Sequence, residues 1–149
     1  MSTLVCRKGA DLLVGTMPQT RNKFPNTDFA IGGNGSKRSS LEEMVKREQT
    51  QHRTAFVGSV PYENARNEST QGHAFLNCSS TESFCVALLE AAPCRLCSVS
   101  TNLGGVLEAL PNDVCLADPN TSSLVHGLTH ALSNDMLQSA NPHECHKRV

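Results

Sequence analysis

The 149-residue sequence has no tryptophan, one tyrosine and five phenylalanines. Stacking platforms for single-stranded nucleic acid are therefore not expected, since they rest on aromatic side chains. Charge of one sign is also lacking. Thirteen Lys and Arg stand against fourteen Asp and Glu, a net charge of −1, so no basic field draws in nucleic acid or an anionic membrane. No apolar run approaches the roughly 18–20 residues that cross a bilayer. Residues 1–8 do not contain the apolar stretch of a secretory leader. Work at a membrane would need a partner or a further segment to bring the chain there.

What is present suits one domain long enough to bury a core. The seven cysteines are odd in number, and reduced thiols in a cytosolic setting are the expectation. Cys94-Arg95-Leu96-Cys97 has the spacing of a redox or zinc pair. No second pair completes a ligand set, and Cys97 falls in a strand where it is expected to be buried. His143, Cys145 and His146 lie in the tail. His73, His126 and His130 have no partner evident from spacing. The sequons at Asn67, Asn77 and Asn120 mean little in a cytosolic chain.

Hydrophobic periodicity predicts strands and helices in alternation. Residues 1–9 read as the end of a strand and a loop, so the domain is expected to lack most of its first strand. An amphipathic helix follows over 10–24, with Pro18 predicting a kink or an early break. Strands are expected at 27–31, 54–58, 74–77, 96–100 and 114–117. Helices are expected at 36–51, weakly at 62–71, from 82, at 104–110 and at 122–132. Residues 133–149 read as a polar, poorly ordered tail. Such alternation implies a parallel sheet covered on both faces. With right-handed crossovers, the loops after the strands share one edge, where such sheets bind ligands.

One stretch on that edge stands out. Asn77-Cys78-Ser79-Ser80-Thr81 reads as a turn out of a strand, and the helix after it carries Glu82 and Glu90. Eight residues of helix separate the two carboxylates by roughly 12 Å. That exceeds the roughly 5–9.5 Å of paired glycosidase carboxylates. It suits an elongated ligand held at both ends, with a phosphate at the backbone N–H groups of the helix start. The plainer alternative is that Glu82 complements the helix dipole and Glu90 is a solvated helix residue. Gly32-Gly33-Asn34-Gly35 follows a strand, and its glycines allow close backbone approach to a ligand. It breaks the dinucleotide and Walker patterns, and a simple tight turn fits as well. Lys8 would reach a diphosphate as a point charge or stand as a surface lysine.

Several stretches together resemble the donor-binding half of retaining glycosyltransferases of the GT-B fold. They are the Glu82-x7-Glu90 pair with Asn-Cys-Ser-Ser-Thr before it, Ile31-Gly32-Gly33-x-Gly35, and Ser100-Thr101-x-x-Gly104-Gly105-x-x-Glu108. Within that class, Arg7-Lys8-Gly9-x-Asp11-Leu12-Leu13, Gly72-His73-x-Phe75-Leu76-Asn77 and Thr81-Glu82-x-Phe84-Cys85 are similar to the catalytic-subunit family of phosphatidylinositol N-acetylglucosaminyltransferases. The resemblance runs from about residue 2 to about residue 132. It implies a Rossmann-like α/β domain over 1–132 that binds UDP-N-acetylglucosamine. The sugar would pass to phosphatidylinositol in the first step of glycosylphosphatidylinositol anchor synthesis, at the cytosolic face of the endoplasmic reticulum and beside other subunits.

The same resemblance assigns roles. Glu82 would be the catalytic carboxylate and bind sugar hydroxyls, and Glu90 would bind the ribose. Lys8 would neutralise the diphosphate, helped by backbone amides near Phe84 and Cys85. Gly33 would line the donor site, and no metal cofactor would be required. The departures are equally specific. Thr3 stands where the family has an arginine, Arg95 where it has a glycine, with Pro93 beside it at the turn into the fourth strand, and Leu107 and Ser36 where it has prolines. The acceptor-binding domain and the membrane anchor would lie outside these residues. The chain is therefore expected to be a fragment, or a non-catalytic nucleotide- or subunit-binding remnant, with weak or no transfer alone.

Overall fold

The structure is a computed structural model that describes residues 9–58, 73–79, 97–102 and 114–133. Helix α1 spans Ala10–Lys23. Strand β1 (Phe29–Gly32) leads to α2 (Arg38–Arg47), a short 3₁₀ turn at Gln51–Arg53 and β2 (Thr54–Gly58). Strands β3 (Ala74–Asn77), β4 (Cys97–Thr101) and β5 (Val114–Ala117) follow, then α3 (Thr121–Leu132). The helices expected at 62–71, from 82 and at 104–110 fall outside the described residues, as does the tail from 134.

All strand pairs are parallel. Among the described residues they form two ladders, β1–β2 and β3–β4–β5. In the first, Phe29 pairs with Thr54 and Ile31 with Phe56, with a register shift before Gly32 meets Gly58. In the second, Asn77 pairs with Ser100, and Thr101 with Ala117. Parallel pairing puts the strand C-termini of each ladder on one edge, as the alternation predicts. At the opposite end of β1 and β2, Arg53 bridges Asp28 at 3.2 Å and donates to the Asn26 carbonyl at 3.0 Å.

Helix α1 contributes side chains to two core clusters. One core cluster gathers Ala10, Met17, Ile31, Leu41, Met44 and Val45, with Phe29 and Phe56 against it. The other gathers Cys78, Val99, Ala117, Leu124, Leu128 and Ala131. Leu13 packs against both. Of the two outcomes expected at Pro18, a kink or an early break, the break does not occur; the helix runs on to Lys23. Proline removes one N–H from the backbone ladder. Tertiary packing on the stripe formed by Ala10, Leu13, Met17 and Thr20 outweighs that loss.

Helix α2 is shorter than the expected 36–51. It ends at Arg47, and Gln49 then takes φ 54°, a left-handed residue that stops the helix. Its buried face is Leu41, Met44 and Val45, as the spacing predicts. In α3 the Asn120 side chain accepts from the Ser123 N–H at 2.8 Å, capping the helix one residue earlier than expected. Leu124, Val125, Leu128 and Ala131 bury its apolar stripe. A methyl group at Gly127 would stand 2.9 Å from Val99 Cγ1, so this glycine lets α3 lie close on β4.

Candidate functional site

The C-terminal edges of the strands carry the loops singled out from the sequence, and specific bonds tie them together. In the loop after β1, Gly33 adopts φ 110°, and its N–H donates to the Gly58 carbonyl at 2.6 Å. That bond joins the mouths of β1 and β2. Both glycines have positive φ, where a side chain would be strained. The Asn34 side chain of the same loop accepts from Arg38 at 2.7 Å, and Arg38 also bonds Glu42 at 2.8 Å. Its guanidinium lies 5.4 Å above the Phe56 ring. The loop is thus held by the first turn of the helix that follows it.

Gly9 is the left-handed N-cap of α1, at φ 77°. It is buried, and a Cβ there would collide with the Cys78 backbone carbonyl. Gly9 and the turn after β3 are therefore in direct backbone contact. Close by in sequence, Asp11 in the first turn of α1 pairs with Lys37 at the start of α2, at 3.4 Å. Both side chains are partly exposed, so the pair contributes little stability. It does link the beginnings of the two helices on this edge.

Beneath the edge, β3 and β4 end in buried polar residues. Asn77, Ser79, Ser100 and Thr101 are each at most 2% exposed. The Asn77 amide donates to Ser100 Oγ at 3.0 Å. Its oxygen accepts from the Ser79 N–H at 3.3 Å and from Ser79 Oγ at 3.0 Å. Thr101 Oγ1 donates to the Ser79 carbonyl at 2.5 Å. The donors and acceptors are thus paired where water is excluded. Burial also closes the Asn77 sequon to glycan attachment.

Sequence reading missed this cluster, although two signals were available. One is Ser98, Ser100 and Thr101 in a strand that should be an apolar run when covered on both faces. The other is the Asn-x-Ser spacing of an Asx turn.

Of the residues expected to bind a donor, Gly33 is placed on this edge as described. Lys8, Glu82, Phe84, Cys85 and Glu90 lie outside the described residues, as do Thr3, Pro93, Arg95 and Leu107. Cys97 is in β4, as expected, but only half buried, because it opens the strand rather than occupying its centre. Burial raises the thiol pKa of Cys97 and Cys115, and pushes that of Cys78 up to about 12. A cavity of about 240 Å³ opens farther along the edge, between the end of β5 and α3. Asn102, Asp118, Ser123 and His126 are among its lining residues.

Comparison with known proteins agrees with this architecture. The family model described as "Glycosyl transferases group 1" matches residues 1–147. A phosphatidylinositol N-acetylglucosaminyltransferase subunit of Arabidopsis thaliana is 46% identical over 150 aligned residues, which cover 100% of this chain and 33% of that protein. The chain spans about a third of the length of such curated relatives. Among solved structures, the C-terminal domain of a group 1 glycosyl transferase from Francisella tularensis superposes with a TM-score of 0.80 at 18% identity. The match covers 99% of this chain and 80% of that one. The pneumococcal O-GlcNAc transferase GtfA, in complex with UDP and GlcNAc, superposes with a TM-score of 0.76 at 18% identity, over 93% of this chain and 30% of that one. These two likenesses concern the fold, which is that of the C-terminal Rossmann-like half of GT-B glycosyltransferases.

Proposed function

This chain belongs to the group 1 glycosyl transferases, and we propose that it is the part of such an enzyme that binds UDP-N-acetylglucosamine. In this reading the sugar passes to phosphatidylinositol, the first step in building a glycosylphosphatidylinositol anchor. The reaction would take place at the cytosolic face of the endoplasmic reticulum with companion subunits. Support comes from the similarity to relatives of that name.

The structural observation that carries the reading is the contact of Gly9 with the Cys78 carbonyl. Lys8 is the residue before Gly9, and Glu82 lies three residues past Ser79. The proposed diphosphate cation and the proposed sugar-binding carboxylate therefore each lie within four residues, in sequence, of this one contact. Glu82 would hold the sugar hydroxyls and act as the catalytic carboxylate. Glu90, eight residues on, would hold the ribose. Lys8 and the amides near Phe84 and Cys85 would bear the charge that develops on the departing diphosphate, the role a metal ion plays elsewhere. Gly33 would let the β1 loop approach the donor.

Thr3, in place of the family's arginine, removes one cation from that set and favours a second reading, a remnant that binds nucleotide without transfer.

Calorimetry with UDP tests the donor site. The folded chain should bind, and Glu90→Ala should weaken binding by about 10- to 100-fold, as expected for losing hydrogen bonds to a charged group. A folded chain that takes up no UDP removes the donor site altogether. Labelled UDP-N-acetylglucosamine and phosphatidylinositol, offered together with the companion subunits, separate transfer from mere binding.

A further inference from the structure

The buried polar residues at the ends of β3 and β4 are an unusual way to fill the middle of a parallel sheet. Apolar side chains would pack there without needing partners. Their bonds converge on one residue. Ser79 has its N–H and hydroxyl held by the Asn77 side chain from within the turn. Its carbonyl is held by Thr101, which reaches across from β4 over 22 positions of sequence. Asn77 is itself fixed to β4 through Ser100, its ladder partner. Ser79 is wholly buried, and beyond it the chain continues to Glu82.

We infer that Asn77 and Thr101 clamp Ser79 and so set the direction in which the Glu82-bearing segment leaves the sheet, which makes them positioning residues for the sugar end of the donor. This rests on the donor-site reading above. The clamp explains why polarity is retained at a site where it costs desolvation. Burial removes competing water, so these bonds are not exchanged for bonds to solvent and the turn is held in place. A loosened turn would leave the fold standing while spreading Glu82 over several positions, and small misplacements weaken binding and transfer sharply.

Thr101→Val tests the clamp because it keeps the branched shape and removes only the hydroxyl. Thr101→Ser, which retains the hydroxyl, is the conservative control. In the ligand-free chain, hydrogen exchange at the Ser79 amide should be about tenfold faster in Thr101→Val, the scale of one lost hydrogen bond. Thr101→Ser should stay near the parent. Equal exchange in Thr101→Val and the parent overturns the clamp.

UDP-N-acetylglucosamine affinity then tests positioning. Thr101→Val should bind about fivefold more weakly, with Thr101→Ser restoring affinity. In a Glu82→Ala background, Thr101→Val should cost nothing further. The same loss in both backgrounds marks a general structural effect and overturns the positioning role. A chain that binds no donor overturns the donor reading and positioning together, while exchange still decides the clamp.

Discussion

Cys78 places its thiol in the core at the point where β3 ends against Gly9, 5% exposed. Burial moves its pKa from 9.0 to about 12. The unfolded chain therefore loses this proton near pH 9, while the folded chain holds it until about pH 12. The stability involved is fully present below pH 9 and is lost as the pH rises from 9 toward 12, at up to about 1.4 kcal/mol per unit. Urea unfolding between pH 8 and 11 should show this decline, and Cys78→Ala should make it shallower, leaving the part due to Cys97 and Cys115, while lowering the plateau through the cavity it leaves. An equal slope in the two proteins would contradict the assignment. Neither the burial nor the contact with Gly9 was legible in the sequence, where Cys78 was one of several cysteines in polar company.

The elements were mostly legible because their signals are local. Strands β2, β3 and β5 fall where apolar runs bounded by Gly, Asn or Asp predict them. Boundaries set by side-chain caps or by packing were less so. The start of α3 is fixed by Asn120, whose side chain bonds the Ser123 N–H. Asn120→Ala should cost about 1 kcal/mol and Asn120→Gly only a few tenths, read from urea midpoints. Similar losses for the two would mean that the cap contributes nothing beyond backbone conformation. Pro18 shows the opposite case. Its local rule predicts a kink or a break, and α1 continues unbroken because its buried stripe packs in two clusters.

At the scale of the molecule, α1 is the shared wall of both core clusters, and Leu13 touches each. The two ladders should therefore unfold together. Leu13→Ala should destabilise by about 2–4 kcal/mol while keeping a single transition. Separate melting of the two ladders, seen as two resolved transitions in calorimetry, would contradict the shared core.

By itself the sequence determined the alternation of strand and helix, the parallel sheet that alternation demands, and the loops destined for one edge. It also carried the family resemblance in its motifs. These are properties of neighbours in the chain, where period, glycine and proline act directly. Tertiary structure alone decided that Gly9 meets Cys78, that Thr101 holds Ser79, and that α1 serves two clusters. Such contacts join residues far apart in sequence, and no local pattern specifies them. They form because folding removes apolar side chains from water, and the polar groups buried with them must then find partners.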